Sequence, residues 1–270
     1  MSDFLQQMAK LSEERAARAR IRADDLDRPI ARLVLKDFDI IAEIKTSSPS
    51  EGEIASAAFS LDRQARAYAR NGAAAISVLT EPSRFGGDLA HIRQVADLIA
   101  RQDVAVMRKD FLVKPVQVLE ARAAGASGVL LIAAMLNDQE LGNMLACAWE
   151  HSMFVLLESF DSVDLRRSSK LLRRERNLEK AADAQLLFGV NTRNLRDLEV
   201  DQTRLLRLAH DLPREVVCVA ESGLHSAEDV ADVASWGYRA ALVGTALMKC
   251  DNPGQLLAQM LAAGRARVAA

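Results

Sequence analysis

Eight short apolar runs recur along the chain, and each is separated from the next by a longer, charged stretch with helical patterning. Alternation at a period of roughly 20 to 35 residues is typical of βα units that build a parallel sheet. Each run is almost continuously apolar, as expected for strands that are covered on both faces. The runs occupy residues 40–45, 74–81, 104–110, 128–135, 154–160, 185–191, 216–222 and 241–247.

Eight βα units predict an α/β fold of the closed (β/α)8 type, the TIM barrel, which takes about 250 residues as one unit. We therefore predict a single barrel domain over residues 1–270, with an N-terminal helical extension over residues 1–38. Its helix is predicted over residues 3–20, where apolar residues recur at helical spacing. An open doubly wound sheet is the alternative, but it uses fewer strands and leaves edges to protect.

The balance of charge argues against polyanionic partners. The 35 basic and 37 acidic residues give a formal net charge of -2, so no global field draws the chain to nucleic acid or to a membrane. Any anionic ligand must be held locally. The cysteines are isolated among apolar residues, which predicts thiols in a reducing compartment without a metal site. The N-terminal residues lack the apolar core of a signal peptide, so we expect a cytoplasmic protein.

A basic stretch over residues 166–180 predicts a long fifth helical segment. A solvated helix face is the favoured interpretation, and a contact site for an acidic partner is the alternative.

The four histidines fall in predicted helices or loops, and we interpret them as structural or surface residues. They are His91, His151, His210 and His225.

Polar residues close several of the otherwise apolar runs. In barrels of this type the catalytic groups lie at the carboxyl ends of the strands, where the following loops surround one mouth. Carboxylates and ammonium groups that converge there shift each other's pKa values, which suits general acid and base catalysis. The residues at the strand ends are Glu43, Lys45, Lys109, Asp110, Glu158, Asn191, Arg193, Glu221 and Ser222.

Glycine pairs after the last two strands predict a phosphate site. Ser222 and Gly223 follow the seventh strand, and Gly244 and Thr245 follow the eighth. Backbone N–H groups at these positions bind phosphate in many barrels. A phosphorylated small molecule is therefore the expected ligand, and nothing in the residues calls for a metal or a cofactor. The sequence leaves the oligomeric state open, with a monomer favoured.

Six segments resemble the indole-3-glycerol-phosphate synthase family, over residues 40–248. The resemblance is specific because one lysine lies in a Glu-Ile-Lys context and a second in an Arg-Lys-Asp-Phe context, at the first and third strands. The segments are IAEIKTSSPSEG (41–52), VLTEPSRFGGDL (78–89), MRKDFLVKPVQVLEARAAGASGVLLI (107–132), GVNTRNL (189–195), AESGL (220–224) and ALVGTALM (241–248).

The resemblance implies a substrate, 1-(2-carboxyphenylamino)-1-deoxyribulose 5-phosphate, which loses carbon dioxide and water to give indole-3-glycerol phosphate in tryptophan biosynthesis. It implies that Lys109 is the general acid, that Lys45 holds the substrate carboxylate, and that Glu158 helps to remove water. No cofactor is implied. Residues that orient the reacting groups would be Glu43, Asn191, Glu221 and Ser222, and those near the substrate and phosphate would be Ser48, Arg193, Gly223, Gly244 and Thr245.

Desolvation favours loss of a carboxylate, so an apolar mouth rimmed by Phe85, Phe111 and Leu131 would assist the reaction. The chain departs from the family pattern at Thr46, Asp88 and residues 159–160. Two alternatives stay open. One is an isomerase, or an aldolase that forms a Schiff base on Lys109 or Lys45. The other is a catalytically silent barrel that binds a partner through residues 166–180.

Overall fold

Eight parallel strands form a closed barrel in this computed structural model, which describes residues 3–48, 52–54, 59–196 and 199–269. Each barrel strand pairs with its neighbours in the chain, and the last strand pairs with the first. The predicted (β/α)8 barrel is confirmed. The barrel strands are β1 (Asp39–Ile44), β4 (Ala75–Leu79), β5 (Ala105–Lys109), β6 (Gly128–Ile132), β7 (Phe154–Ser159), β8 (Leu186–Asn191), β9 (Val217–Glu221) and β10 (Ala240–Val243).

Two short strands, β2 (Ser47–Ser48) and β3 (Gly52–Glu53), form a separate antiparallel pair beside the barrel. Residues 49–51 of the first resemblance segment lie outside the described residues. The helices are α1 (Asp3–Arg18), α2 (Leu61–Arg70), α3 (Pro82–Phe85), α4 (Leu89–Leu98), α5 (Pro115–Ala123), α6 (Asp138–Glu150), α7 (Ser162–Leu172), α8 (Glu175–Ala182), α9 (Arg204–Leu208), α10 (Ala227–Ser235), α11 (Thr245–Lys249) and α12 (Pro253–Val268). None of the described helices is both long and apolar enough to cross a membrane.

Polar caps set the points at which several loops become helices. The Asn137 side chain accepts hydrogen bonds from the backbone N–H groups at the start of α6, and the Glu140 carboxylate accepts one from the Asn137 N–H. Ser226 and Asp229 form the same reciprocal box at α10. Such caps satisfy N–H groups that a helix leaves unpaired at its start. They thereby define the lengths of the loops that follow the strands.

Two of the apolar runs extend three or four residues beyond the end of the strand that they contain. The run 128–135 leaves the sheet at Ile132 and continues as a single 3-10 turn (Ala133–Met135), and the run 241–247 leaves it at Val243 and enters α11. Met135 and Leu247 are nevertheless buried. The apolar pattern marks burial, and burial continues past the point where the chain stops being extended.

The basic segment was predicted to be one long helical segment, but it forms parts of two helices. α7 ends at Leu172 and α8 begins at Glu175. The buried Asn177 side chain donates a hydrogen bond of 2.8 Å to the carbonyl of Leu171, which lies at the end of α7 and also accepts a 3.3 Å backbone hydrogen bond from Arg174. This contact stabilises the break and lets both helices pack on the barrel.

The predicted N-terminal helix is present as α1, and it ends at Arg18 instead of residue 20. Leu5 and Met8 are fully buried against the barrel. Gln117 on α5 donates a 2.7 Å hydrogen bond to the Ser12 hydroxyl, and Arg15 forms a 2.7 Å ion pair with the buried Asp110. The helix is therefore bound to the loop that directly follows β5.

We expect Arg15→Ala to lower the free energy of unfolding by about 1 to 3 kcal/mol, because a hydrogen-bonded charge on buried Asp110 loses a donor. Denaturant unfolding of the purified variant measures this difference. Arg18→Ala, an exposed arginine on the same helix, is the matched control and should stay within about 0.5 kcal/mol of the parent chain. Equal stability of the two variants would contradict the structural role of the Arg15 ion pair.

Candidate active site

A cavity of about 560 Å³ opens at the carboxyl ends of the barrel strands. Residues from all eight strand ends or strand-to-helix loops line it, together with one residue of α1. The predicted site residues that line this cavity are Glu43, Lys45, Ser48, Phe85, Lys109, Glu158, Asn191, Arg193, Ser222, Gly223, Gly244 and Thr245. The strand ends therefore bring together residues that lie up to about two hundred positions apart in the chain.

Glu43, on β1, binds both lysines of the site. Its two carboxylate oxygens lie 3.0 Å from Lys45 Nζ and 3.0 Å from Lys109 Nζ. Glu43 is buried, and the two lysine side chains are only 14% and 16% exposed. One carboxylate thus holds two ammonium groups side by side at the floor of the cavity.

The charges in this cluster change the acidity of its members. Burial alone would raise the pKa of Glu43, but the charges of Lys109 and Lys45 and their hydrogen bonds lower it to about 2. Burial alone would lower the pKa of Lys109, but the negative charges of Glu43, Glu221 and Glu158 raise it above its ordinary value. Lys109 therefore carries its proton throughout the physiological pH range.

Glu158, on β7, lies beside the lysine cluster. Asn191, at the end of β8, donates a 3.1 Å hydrogen bond from Nδ2 to Glu158 Oε2. The Asn191 Oδ1 atom accepts a 2.9 Å hydrogen bond from the backbone N–H of Arg193. The amide of Asn191 is oriented by these two contacts, so Glu158 is held on a rigid strand end.

Glu221, at the end of β9, lies just below the cavity instead of on its surface. Its side chain is fully buried, and Oε2 lies 3.9 Å from Lys109 Nζ. Burial, followed by the charge of Glu158, raises the pKa of Glu221 well above its ordinary value. Glu221 can act on the reacting groups only through Glu158 or Lys109, unless a side chain moves.

Another part of the cavity wall is formed by backbone. Ser222 and Gly223 both have positive φ angles, 65° and 73°, which turn the chain sharply after β9. Gly244 follows β10 and is succeeded by Thr245, the first residue of α11. These two turns line the cavity together, as expected for backbone groups that bind an anion.

Aromatic rings form one wall. The ring centroid of Phe111 lies 5.9 Å from that of Phe85 and 5.9 Å from that of Phe4, which belongs to α1. The Thr46 hydroxyl donates a 3.2 Å hydrogen bond to the carbonyl of Phe85, which connects the loop after β1 to α3. The wall is apolar and aromatic, which suits an aromatic ring of a ligand.

Leu131 does not line the cavity, in contrast to the prediction. Its neighbours Leu130 and Ile132 do. In the strand register Ile132 is paired with Glu158, and Leu131 with Leu157. Because side chains alternate across a strand, Leu131 points away from the face that carries Glu158. A continuous apolar run gives no indication of which face is which.

Eleven lining residues were not identified from the sequence; eight of them are aliphatic, and the other three are Phe4, Gln202 and His225. Phe4 comes from the N-terminal helix, whose docking position is a tertiary feature. Gln202 follows the turn after β8 and carries no local signal. His225, which we interpreted as structural or surface, is exposed at the cavity rim, three residues after Ser222. Its proximity to the Ser222–Gly223 turn was the signal available. The part of the chain that is described contains no cluster of three or more metal-binding side chains.

Arg196 links the loop that carries Arg193 to the start of α7. Its guanidinium group lies 2.8 Å from Asp161 Oδ2 and 2.6 Å from Asp164 Oδ1, at the start of α7. It also stacks on the Phe160 ring, with its central carbon 5.5 Å from the ring centroid. The loop after β8 is thereby held against the helix that follows β7.

A family model described as indole-3-glycerol phosphate synthase matches residues 5–260. Curated relatives have the same description. One from Paenarthrobacter aurescens (strain TC1) is 41% identical over 237 residues, which cover 87% of this chain and 81% of that protein. One from Arthrobacter sp. (strain FB24) is 38% identical over 270 residues, which cover 100% of this chain and 91% of that protein.

Among solved structures, 3-hexulose-6-phosphate synthase from Salmonella typhimurium is similar, with a TM-score of 0.62 and 11% sequence identity. The match covers 85% of this chain and 100% of that chain. At this level of identity the similarity concerns the barrel fold alone.

The Glu43→Gln variant tests the lysine cluster directly. Lys109 loses its nearest negative charge, so its pKa should fall and the neutral amine should become more abundant at any fixed pH. We expect acetylation of Lys109, followed by peptide mass spectrometry, to accelerate about tenfold for each pH unit by which the pKa falls. Glu53→Gln, which removes an exposed carboxylate, is the control. An unchanged rate in Glu43→Gln would show that Glu43 does not govern Lys109.

Proposed function

Because this chain belongs to the indole-3-glycerol phosphate synthase family, we propose that it closes the indole ring of 1-(2-carboxyphenylamino)-1-deoxyribulose 5-phosphate. The reaction releases carbon dioxide and water and yields indole-3-glycerol phosphate, in tryptophan biosynthesis. The enzyme is accordingly a carboxy-lyase. The observation that carries the proposal is the pair of buried ammonium groups on Glu43, placed beside Glu158 in the same cavity.

In this proposal Lys109 is the general acid of ring closure. Attack of the aromatic carbon on the ribulose carbonyl places negative charge on oxygen, and a nearby ammonium group stabilises that charge and then protonates it. The carboxylates that surround Lys109 keep it protonated before the reaction. Being held by Glu43, the ammonium group needs little rearrangement when charge develops.

Lys45 is the proposed partner of the substrate carboxylate. It shares Glu43 with Lys109 and is the lysine that follows β1. A carboxylate on Lys45 would share the cavity with the apolar wall of Phe85 and Phe111. Decarboxylation disperses charge, so an apolar surrounding favours it. We assign the loss of water to Glu158, with Asn191 orienting its carboxyl group.

The phosphate group is proposed to bind at the two turns that follow β9 and β10. The turns at Ser222–Gly223 and Gly244–Thr245 supply backbone N–H groups, and Arg193 and Ser48 line the same cavity. Phosphate at one end and the aromatic ring at the other would fix the ribulose chain between them. A substrate held at both ends presents its carbonyl to Lys109 in one orientation.

The charge state of Lys109 counts against a Schiff-base aldolase. A lysine that attacks a carbonyl must be neutral, and such lysines have lowered pKa values. The carboxylates around Lys109 change its pKa in the opposite direction.

We also propose a cytoplasmic location, which the three cysteines support because all of them are free thiols.

Lys109→Ala should reduce kcat by at least about a hundredfold while substrate binding is partly retained, because the general acid is lost and the phosphate turns remain. Formation of the fluorescent indole product measures turnover. Lys170→Ala, an exposed lysine on α7, is the control and should be unaffected. Unchanged turnover would remove Lys109 from the mechanism, and a lysine adduct trapped by borohydride in the presence of substrate would support the aldolase.

A further inference from the structure

Three carboxyl groups and two ammonium groups meet at the floor of the cavity. They come from Glu43 on β1, Glu158 on β7, Glu221 on β9, Lys109 on β5 and Lys45 after β1. Glu43 uses both of its oxygens on the lysines. If all five groups were ionised, the cluster would carry one excess negative charge in a buried place, where an unbalanced charge is costly.

The excess charge lies between Glu158 and Glu221. Asn191 supplies one donor to Glu158 Oε2, and Lys109 is 3.9 Å from Glu221, beyond hydrogen-bond distance. Glu158 Oε1 and both Glu221 oxygens are buried and have no hydrogen-bond donor among the described residues. Burial is the main reason that the pKa of each of these two carboxyl groups is raised. A proton between the two carboxyl groups would satisfy two of these three oxygens and remove the excess charge.

Gly189 on β8 makes room for this arrangement. It is paired in the sheet with Glu158, and a β-carbon at this position would overlap Oε1 of Glu221. The Glu221 carboxyl group therefore occupies the space that any other residue would fill. Glycine in the interior of a strand is unfavourable by itself, and it often marks a close approach of another group.

We propose that Glu158 and Glu221 hold a single proton between them, and that Gly189 is the positioning residue that admits Glu221 to the side of Glu158. The inference rests on the proposed function, in which Glu158 acts on the departing hydroxyl. In that step the shared proton moves to the hydroxyl oxygen and the C–O bond breaks. The neighbouring carbon loses a proton to the pair as the C–C double bond forms, so water leaves, the pair is restored, and nothing is oxidised or reduced.

Infrared difference spectroscopy of the protein without substrate tests the shared proton. We expect the carbonyl stretching band of a protonated carboxyl group at neutral pH, and we expect its loss in both Glu158→Gln and Glu221→Gln. Glu179→Gln, an exposed glutamate on α8, should leave the band unchanged. A parent chain without the band, or a band that survives both substitutions, would overturn the inference.

The pH dependence of kcat is the second readout. The shared proton is required for the loss of water, so kcat should fall as the pH rises through the pKa of the pair. In Glu221→Gln the neighbouring charge is gone and an amide N–H can donate to Glu158, so the Glu158 pKa falls. We expect this alkaline limb to move to lower pH by at least about one unit, with kcat reduced at least tenfold at neutral pH. A limb at the parent position would contradict the role of Glu221. The other groups around the pair are unchanged in Glu221→Gln, so they do not account for such a shift. These groups are Glu43, Lys45, Lys109 and Asn191.

Gly189→Ala tests the positioning role. We expect a kcat at least tenfold lower with a KM within about threefold, together with a weakened infrared band, because the methyl group displaces Glu221. Gly142→Ala is the control, since a β-carbon there meets no other atom within 4 Å. A folded Gly189→Ala protein with parent kcat and band would overturn the role of Gly189. If that variant fails to fold, Glu221→Gln decides the inference.

These outcomes separate the inference from the proposed function. The infrared measurement uses no substrate, so an absent band contradicts the shared proton even in an active synthase. A chain that shows the band but forms no indole product contradicts the synthase assignment and leaves the carboxyl pair supported.

Discussion

The carboxylate of Glu43 determines how the rest of the site can be arranged. Two largely buried ammonium groups repel each other, and the shared carboxylate offsets this repulsion by placing one of its oxygens 3.0 Å from each of them. Lys45 and Lys109 come from strands that β4 separates, so the contact requires the curvature of a closed barrel. Gly244 is equally necessary, because a β-carbon there would overlap the Glu43 carboxylate. The barrel thus supplies both the proximity and the space.

The same principle explains the glycines of the barrel interior. Small barrels fill their centre with apolar side chains, and a polar layer must be given room in that packing. Gly189 and Gly244 provide it next to Glu221 and Glu43, on strands or turns where a side chain would otherwise point inward. A glycine lowers the stability of a strand, but the absence of its side chain leaves space for a charged group of the site.

The barrel and most of the site were predictable from the sequence, because both depend on local patterns. A polar residue that ends an apolar run lies at the mouth of the barrel, wherever the strand begins. Two kinds of feature were not predictable: the face of a strand on which a side chain lies, and contacts between segments that pack together only in the folded chain. Leu131 and its neighbour Ile132 look alike in sequence and differ only in which face of β6 they occupy. The break between α7 and α8 depends on the contact of Asn177 with the end of α7.

The docking of α1 shows how a remote segment can act on Lys109. Lys109 lines the cavity. The residues before and after it, Arg108 and Asp110, are held by hydrogen bonds to other parts of the protein. Asp110 accepts hydrogen bonds of 2.8 Å from Thr80 and 2.7 Å from Arg15, and Arg108 contacts it at 3.0 Å. Arg108 also donates to the carbonyl of Gln117 on α5. A residue fixed on both flanks has few conformations left to lose when the substrate arrives, so the precision of the Lys109 ammonium group depends on a helix outside the barrel.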